Sequence, residues 1–279
     1  MEKSKDEIKK FYDEATIRKL SGFIYGNNRV EYAWQTLNSL FGQNKFNNIL
    51  EIGSGIGEIC HRIKTKFSNA RVTGFDISVE SIEISEKLFG GPLLTFKRAD
   101  SISELELEDQ SKFDLIFLMD VFEHIPLDER KPLSDFIRKH ISEKGFLFFS
   151  CPTPQHLSYL KRNIPSEIQP VDEDITLDVL IQFSKDCNLR LVYYKEISVW
   201  RAGDYLHVVF SNQFNMQPFS DYHRNFQKSI GLKRELLRRL GFGSPKRMAK
   251  VENEKIEEKK QLLREKLGED IFRKVENFK

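Results

Sequence analysis

Cysteine is scarce in this chain of 279 residues, which has only Cys60, Cys151 and Cys187. Three distant cysteines supply neither a disulfide framework nor a CxxC motif for a metal or redox couple. Long apolar runs are also missing, since segments such as 115–119 are far shorter than the ~20 residues that span a bilayer. The polar residues 1–6 are not followed by the apolar segment of a secretory signal. We therefore expect a cytoplasmic protein with reduced cysteines.

Net charge is almost absent, because 44 Lys and Arg residues nearly balance 42 Asp and Glu residues. This balance hides an asymmetry: residues 228–279 contain 16 basic and 9 acidic residues, a net charge of +7, which leaves −5 for residues 1–227. The basic segment is rich in Glu, Lys, Arg and Leu, which predicts helices. The negative charge of the remainder disfavours a nucleic-acid substrate, because it repels phosphates.

Short apolar runs alternate with amphipathic stretches through residues 48–211, which is typical of a mostly parallel sheet covered by helices. Five strands are predicted at residues 48–52, 71–75, 93–98, 113–119 and 145–151. Helices are predicted at residues 57–66, 79–88, 127–141 and 174–187. Two last strands, 189–200 and 204–211, are separated by only three residues, so they form an antiparallel hairpin. The predicted fold is α/β, with a seven-stranded, mostly parallel sheet that ends in this hairpin.

The chain is predicted to have three parts: a helical N-terminal cap at residues 1–47, the α/β domain at 48–211, and a basic helical extension at 212–279. The link at residues 151–174 contains four of the nine prolines, and long links in α/β domains are often binding loops. Apolar residues between 256 and 278 recur at helical spacing. We expect this apolar face to pack on its own chain or on a second copy, with membrane-surface contact as the alternative.

The first predicted strand runs into a glycine-rich loop that opens a helix, residues 53–57 (GSGIG). Glycine permits a sharp turn and lets the backbone approach a ligand closely. Dinucleotide-binding proteins share this arrangement, but Glu58 stands where their motif has its third glycine. A carboxylate at the helix N-terminus opposes a pyrophosphate, so a hydride-transfer enzyme is disfavoured.

Acidic residues follow the next three strands. Asp76 is placed to accept hydrogen bonds from ribose hydroxyls, and Asp100, beside Ser101, from an adenine amino group. Asp120 lies where open α/β sheets bind ligands, outside the carboxyl ends of the strands. Each acid alone is also a common helix cap, but three in register favour a nucleoside ligand.

These motifs resemble those of the class I S-adenosylmethionine-dependent methyltransferases, whose fold is Rossmann-like. Residues 51–57 (EIGSGIG) resemble the first motif of this family, residues 74–78 (GFDIS) its ribose-binding strand end, and residues 99–101 (ADS) its adenine-contacting turn. Residues 113–125 are similar to the branch that includes ubiquinone-biosynthesis and sugar or natural-product O-methyltransferases. The resemblance covers roughly residues 45–211 and implies S-adenosylmethionine as the cofactor.

The resemblance also assigns residues to the two binding sites. The cofactor residues that it implies are Glu51, Gly53, Ser54, Gly55, Gly57, Asp76, Ile77, Asp100, Ser101 and Asp120. It places the N-terminal cap over the cofactor and the acceptor, so Tyr12, Tyr25 and Arg29 are candidate substrate residues, with helix packing as the alternative. His156 in the link and Arg201 near the hairpin are further candidates. Asp204 and His207 lie nearby, and His207 is better interpreted as a buried structural residue because it falls inside a strand.

The candidate catalytic residues are Asp120, Glu123 and His124. In the ubiquinone-related enzymes that this segment resembles, an acid, a second acid and a histidine bind a divalent metal. Here the first acid is the shorter Asp, so a metal is not favoured. His124 then has three interpretations: a general base toward an acceptor hydroxyl, a metal ligand, or a structural residue.

We therefore expect an S-adenosylmethionine-dependent methyltransferase that acts on a small-molecule or glycan-like acceptor, with O-methylation favoured. One alternative is a non-catalytic protein that binds S-adenosylmethionine and serves as an interaction scaffold. Another is a methyltransferase for a quinone, lipid or nucleic-acid acceptor. The complete set of Asp120, Glu123 and His124 favours catalysis over the scaffold.

Overall fold

The computed structural model describes residues 11, 15–42, 44–105, 107, 112–169, 171–212 and 255–278. Its contacts divide the chain into two compact units. One unit comprises Met1–Thr16 and Lys45–Phe214, and the other comprises Ile17–Asn44 and Asn215–Lys279. The three-part division predicted from the sequence stays a prediction, and residues 213–254 of the predicted extension lie outside the described residues.

The first unit contains a seven-stranded sheet. Its strands are β1 (Asn48–Ile52), β2 (Arg71–Asp76), β3 (Leu94–Arg98), β4 (Phe113–Met119), β5 (Ile141–Pro152), β6 (Arg190–Ile197) and β7 (Tyr205–Ser211). They lie in the order β3-β2-β1-β4-β5-β7-β6. Strands β1 to β5 are parallel, whereas β7 runs antiparallel to both β5 and β6. The predicted sheet and its terminal hairpin are confirmed.

The described helices are α1 (Thr16–Tyr25), α2 (Asn28–Phe41), α3 (Glu58–Lys66), α4 (Val79–Phe89), α5 (Leu127–His140), α6 (Pro154–Asn163), α7 (Leu177–Asp186), α8 (Ile256–Leu267) and α9 (Glu269–Asn277). Helix α6 occupies much of the segment that the sequence analysis interpreted as a proline-rich link. Its start has a physical cause: the Thr153 hydroxyl accepts a hydrogen bond from the His156 N–H, and Pro154 occupies the first turn. A threonine cap followed by proline is a helix-start signal, because the first turn needs no N–H from that residue.

The interior strands of the sheet are apolar on both faces, as burial beneath helices requires. Phe117 in β4 and Phe148 and Phe149 in β5 have no exposed surface. Each such side chain contributes about 1.5–3 kcal/mol relative to an exposed position. Strand β5 begins four residues earlier than predicted, because Ile141 pairs with Phe113 ahead of a register shift in β4.

The strand order determines where a ligand site can form. The chain proceeds outward from β1 through β2 and β3, then returns to place β4 on the other side of β1. Open α/β sheets bind ligands at such a reversal, in the crevice at the carboxyl ends of the strands. Pro152 at the end of β5 pairs with Tyr205 at the start of β7. The turn between β6 and β7 therefore lies at the same edge of the sheet.

The described part of the second unit is helical and contains segments from both ends of the chain. Lys259 in α8 donates a hydrogen bond of 2.7 Å to the Phe23 carbonyl in α1. The Tyr25 hydroxyl donates to Glu276 in α9, and Lys260 lies 3.3 Å from the same carboxylate. These contacts attach the described part of the basic extension to α1 of the same chain.

The apolar face expected over residues 256–278 is divided in the structure. Gly268, with φ of +86°, separates α8 from α9, so the sequence interpretation as one continuous helical face is wrong. Leu263, Phe272 and Val275 are buried, whereas Phe278 is exposed. Among the described residues, no helix is both long enough and apolar enough to cross a membrane. Self-association and membrane-surface contact through the extension stay predictions.

Candidate cofactor-binding and catalytic site

The glycine loop after β1 touches the segment after β4. Gly53 has φ of +80°, a left-handed conformation that side chains disfavour. A Cβ atom at this position would overlap the Cγ2 atom of Val121. At Gly57, which also has φ of +80°, a Cβ atom would lie 2.5 Å from the Phe96 ring. Glycine is therefore required by both the backbone conformation and the close approach of neighbouring side chains.

Asp76, at the end of β2, is a buried carboxylate that organises this loop. One oxygen accepts a 2.6 Å hydrogen bond from the Gly55 N–H, and the other accepts a 2.9 Å bond from the Ser78 N–H. The cap of α4 is Ser78, whose hydroxyl accepts from the Ser81 N–H. The alternative interpretation of Asp76 as a helix cap is therefore wrong. Ile77 follows Asp76 directly, at the edge where the sequence placed a ribose-binding acid.

The hydroxyl of Ser54 is buried without a hydrogen-bond partner among the described residues. Buried polar atoms are nearly always partnered, and an unpaired one costs about 1–3 kcal/mol. From this position in the glycine loop, the hydroxyl can form a hydrogen bond with a polar ligand. This observation supports the predicted placement of Ser54 in a cofactor site.

Glu51, in β1, lies beneath the loop and is 3% exposed. Its Oε2 atom accepts a hydrogen bond of 2.9 Å from the Cys60 thiol of α3. Burial raises the pKa of Glu51 well above its ordinary value, and it also raises the pKa of the Cys60 thiol. The structure thus gives Glu51 a buried protein partner, Cys60, which the sequence analysis interpreted only as a core residue.

Asp100 and Ser101, which follow β3, form local contacts. The Asp100 carboxylate receives two hydrogen bonds from the Arg98 guanidinium, one of them 2.7 Å long from Nε. The Ser101 hydroxyl lies 2.9 Å from that of Ser103. The Asp100 side chain keeps about a third of its surface exposed, so it remains accessible to a ligand at this edge.

Asp120 has an unusual backbone conformation directly after β4. Its φ of +55° is left-handed, which costs a residue with a side chain about 1–2 kcal/mol. The conformation is held by Ser150 of β5, whose carbonyl accepts from the Asp120 N–H at 2.7 Å and whose hydroxyl donates to the Asp120 carboxylate at 3.3 Å. Strained residues of this kind cluster at functional sites.

His124 is held between two carboxylates. Its Nδ1 atom lies 2.6 Å from the Val171 carbonyl and 3.0 Å from Asp172, so this nitrogen carries a proton and donates. Its Nε2 atom lies 3.6 Å from Glu123. The Glu173 N–H donates to the Glu123 carbonyl at 3.0 Å, which ties the same two segments together. Sequence reasoning missed Asp172, because nothing in the pattern links it to a histidine 48 residues earlier.

Glu123 is almost completely buried, and its Oε2 atom has no hydrogen-bond partner among the described residues. Burial raises the pKa of this carboxyl to about 7; His124 opposes the shift, and Asp120 adds to it. Burial also lowers the pKa of His124, but the carboxylates of Glu123 and Asp172 outweigh it and leave this pKa above its ordinary value. Each of the two groups therefore keeps its proton to a higher pH than it would in water.

This pair predicts a pH dependence of stability. The folded protein holds a proton on Glu123 more tightly than the unfolded chain does, so stability falls as pH rises from about 4.5 to 7. The raised pKa of His124 acts in the same direction, because its proton is also lost as pH rises. Glu123→Gln is expected to flatten the fall in melting temperature between pH 5 and about 8, measured by calorimetry. The exposed Glu143→Gln is the matched control, and an unchanged slope in the Glu123 variant would contradict the assignment.

The metal interpretation lacks a ligand set in the structure. Within the described ranges, no three His, Cys, Asp or Glu side chains are grouped so that they could hold an ion. Asp120 is engaged with Ser150, and both nitrogens of His124 face protein groups. The three interpretations of His124, as a base, a metal ligand or a structural residue, stay predictions.

The acceptor-side candidates His156 and Arg201 lie together near the β6–β7 turn. The His156 ring lies 6.3 Å from that of Trp200 and 5.8 Å from that of Tyr205. Arg201 donates a 2.7 Å hydrogen bond to the Tyr159 hydroxyl, and its guanidinium lies 3.9 Å from the centre of the same ring. Sequence reasoning missed both Trp200 and Tyr159.

Two further residues considered for the acceptor side, His207 and Tyr25, have structural contacts. His207 is 1% exposed, and burial with Lys195 lowers its pKa to about 4, as expected for a structural histidine. Tyr25 belongs to the second unit, where it contacts Glu276 and Lys260. Arg29 lies in the first turn of α2. Tyr12 lies outside the described residues.

The part of the chain that forms this edge is similar to a known protein family. The family described as a methyltransferase domain matches residues 50–147, which contain the glycine loop and all three strand-end acids. Residues 50–147 are thus similar to a methyltransferase domain. The cofactor that the sequence motifs predict for it is S-adenosylmethionine. The glycine loop, the Asp76 carboxylate and the Ser54 hydroxyl, which has no hydrogen-bond partner among the described residues, fit this cofactor. They offer a close backbone approach and polar groups to a nucleoside with an amino-acid arm.

The curated relatives match only part of this chain. Malonyl-(acyl-carrier protein) O-methyltransferase 2 of Ilyobacter polytropus is 32% identical over 105 residues, which are 37% of this chain and 38% of that protein. Its paralogue, O-methyltransferase 1, is 32% identical over 39% of each chain. The chain therefore spans less than half the length of the curated relatives that it matches.

Two solved structures share the fold. A chain of the complex between the Haloferax volcanii Trm112 methyltransferase activator and a putative methyltransferase superposes with a TM-score of 0.59 at 13% identity, over 75% of this chain and 99% of that one. Magnesium protoporphyrin IX methyltransferase of Synechocystis, with bound S-adenosylhomocysteine, superposes with a TM-score of 0.56 at 17% identity, over 75% and 100%. At such low identity these structures support the fold alone.

Asp76→Asn is expected to weaken binding of S-adenosylhomocysteine by about 1.5–3 kcal/mol, roughly 10- to 150-fold, because a charge-assisted acceptor becomes neutral. Titration calorimetry measures the change, and the exposed Asp128→Asn of α5 is the matched control. NAD is not expected to bind either protein, because Glu58 opposes a pyrophosphate. Wild-type affinity in the Asp76 variant, or tight NAD binding, would contradict the assignment.

Proposed function

We propose that the protein transfers a methyl group from S-adenosylmethionine to a small-molecule or glycan-like acceptor, with oxygen as the favoured accepting atom. The observation that carries this proposal is the position of His124, with its neighbours Glu123 and Asp172, near the glycine loop. His124 follows Asp120 by four residues, and Val121 contacts the glycine loop at the reversal of the sheet. A base next to the cofactor edge suits a hydroxyl acceptor, which needs help to lose its proton.

The cofactor supplies an electrophilic methyl group on a sulfonium sulfur. Asp76, Ser54 and the glycine loop bind and orient it, and positioning provides much of the rate in such transfers. Asp172 and the Val171 carbonyl hold the Nδ1 proton of His124, which leaves Nε2 as the basic nitrogen. When the acceptor oxygen takes the methyl group, the bond from that methyl to the sulfonium sulfur would break and S-adenosylhomocysteine would leave, while Nε2 of His124 would accept the proton of the acceptor hydroxyl. The nearby Glu123 carboxylate then stabilises the imidazolium.

The curated relatives support oxygen as the accepting atom, because both are described as O-methyltransferases. Their printed acceptor is a malonyl group on an acyl-carrier protein. For this chain we keep the broader proposal, because less than half of those proteins is matched. The non-catalytic scaffold has less support, because a scaffold does not require a buried imidazole between two carboxylates.

The test is a search for the product. The purified protein is incubated with isotope-labelled S-adenosylmethionine and fractionated cell extract, and mass spectrometry detects molecules that gain the labelled methyl group. We expect at least one low-molecular-weight product that is missing when His124→Asn replaces the wild type. Cofactor binding without any labelled product, in extracts from several growth conditions, would favour the scaffold. Label found in RNA or DNA would overturn the small-molecule proposal.

A further inference from the structure

The turn between β6 and β7, residues 198–204, is built around one buried carboxylate. Asp204 is 2% exposed, and its two oxygens accept hydrogen bonds of 2.7–2.9 Å from three consecutive backbone N–H groups, those of Val199, Trp200 and Arg201. Three such bonds fix the backbone of the turn. The backbone positions of Trp200 and Arg201, from which their side chains extend, are therefore fixed.

The turn is also fastened to α6. The Thr153 N–H donates to the Asp204 carbonyl, and the Thr153 hydroxyl donates to the Gly203 carbonyl, both at 2.9 Å. The same hydroxyl caps α6. One threonine thus fixes the first turn of α6 against the hairpin, which holds His156 and Tyr159 beside Trp200 and Arg201.

This arrangement presents an aromatic and cationic surface. Trp200 is 55% exposed although its ring packs against those of His156 and Tyr205, the latter at 5.7 Å and nearly perpendicular. Arg201 stacks on Tyr159, and no carboxylate of the described residues pairs with its guanidinium. A stacked guanidinium that keeps free donors is well suited to a carboxylate or phosphate.

This surface lies near the edge of the sheet where methyl transfer is proposed, which favours an acceptor as its ligand. Tyr205, which follows the turn, pairs with Pro152 at the carboxyl end of β5, and β5 lies next to β4. Two strand spacings of about 4.8 Å separate β4 from β7, so the turn begins roughly 10 Å across the sheet from Asp120. A small molecule held there reaches the methyl-transfer edge with one part while another part contacts the turn.

We propose that the 198–204 turn is an acceptor-docking surface for molecules that carry an anionic group, a carboxylate or phosphate, beside a ring. The ring stacks on Trp200, and the anion pairs with Arg201. This inference rests on the proposed function and specifies its substrate class: an anionic, ring-bearing acceptor.

The test uses the full-length ¹⁵N-labelled protein and simple probes. Trp34 and Trp200 are the two tryptophans, so Trp34→Phe assigns the Trp200 indole N–H signal. Benzoate, phenyl phosphate and the uncharged benzamide are titrated against this signal by NMR. We expect both anions to bind at least about tenfold more tightly than benzamide, a difference near 1.4 kcal/mol. Their relative affinities distinguish a carboxylate acceptor from a phosphate acceptor.

Arg201→Gln is expected to reduce the affinity for both anions to that for benzamide. Arg162→Gln, which removes an equally exposed guanidinium from α6, is the matched control and is expected to change little. Equal binding of benzamide, or equal losses in the two variants, would overturn the proposal. S-adenosylhomocysteine affinity is measured in parallel by calorimetry. If the wild-type protein binds S-adenosylhomocysteine but binds the two anions no more tightly than benzamide, only this inference is wrong. If the wild-type protein does not bind S-adenosylhomocysteine, the proposed function is wrong.

Discussion

His124→Asn is expected to lower methyl transfer by about 10²–10⁴-fold, the range for loss of a general base, while leaving S-adenosylhomocysteine binding unchanged. Asn is chosen because its amide N–H can occupy the position of Nδ1 and keep the hydrogen bond to the Val171 carbonyl. It has no atom at the position of Nε2. The variant therefore separates the proton-accepting role of His124 from its structural contacts with residues 171–172.

The measurement is the rate of product formation with the acceptor found by mass spectrometry. Because a base must be neutral, the wild-type rate is expected to rise with pH through the raised pKa of His124. Asp172→Asn removes the carboxylate beside Nδ1 and is expected to shift this rise to lower pH. Full activity in His124→Asn would show that the histidine is structural. Loss of wild-type activity on chelation, restored by a divalent ion, would support the metal interpretation instead.

The sheet was predictable because its strands carry strong local signals. Residues such as Leu115–Met119 form continuous apolar runs, and most of these runs are followed directly by a glycine, an aspartate or a proline, which mark the strand ends to within a residue. Only residues 201–203 separate the last two predicted strands, and so short a connection requires an antiparallel hairpin. Helix α6 was missed for the opposite reason. Its prolines were counted as signs of a loop, although Pro154 directly after Thr153 is a helix start.

The site was only partly predictable, because its contacts join distant parts of the chain. The positions of Asp76 and Asp120 follow from local patterns at strand ends. The pairing of His124 with Asp172, and of Glu51 with Cys60, depends on packing between elements. The spacing of residues in the sequence does not indicate which buried carboxylate contacts which buried partner. Likewise, Trp200 is exposed beside His156 only because Asp204 and Thr153 fix the turn.

Gly53→Ala is expected to weaken S-adenosylhomocysteine binding by at least about tenfold and to lower the melting temperature. The left-handed φ of +80° costs an alanine about 1–2 kcal/mol. The added Cβ also overlaps Val121, so the glycine loop and the segment after β4 must move apart. At about 2–4 °C per kcal/mol for a domain of this size, this strain alone lowers the melting temperature by about 2–8 °C.

A double-mutant cycle isolates the steric part of this effect. Val121→Ala removes both methyl groups that the new Cβ would meet, so it should restore part of the stability and binding lost in Gly53→Ala. We expect a coupling energy of about 0.5–3 kcal/mol, as for residues in direct contact. Gly91→Ala is the matched control, because nothing lies within 4 Å of a Cβ at that glycine. If the two changes are simply additive, the loops after β1 and β4 are not in contact at the cofactor edge, and the site must be arranged differently.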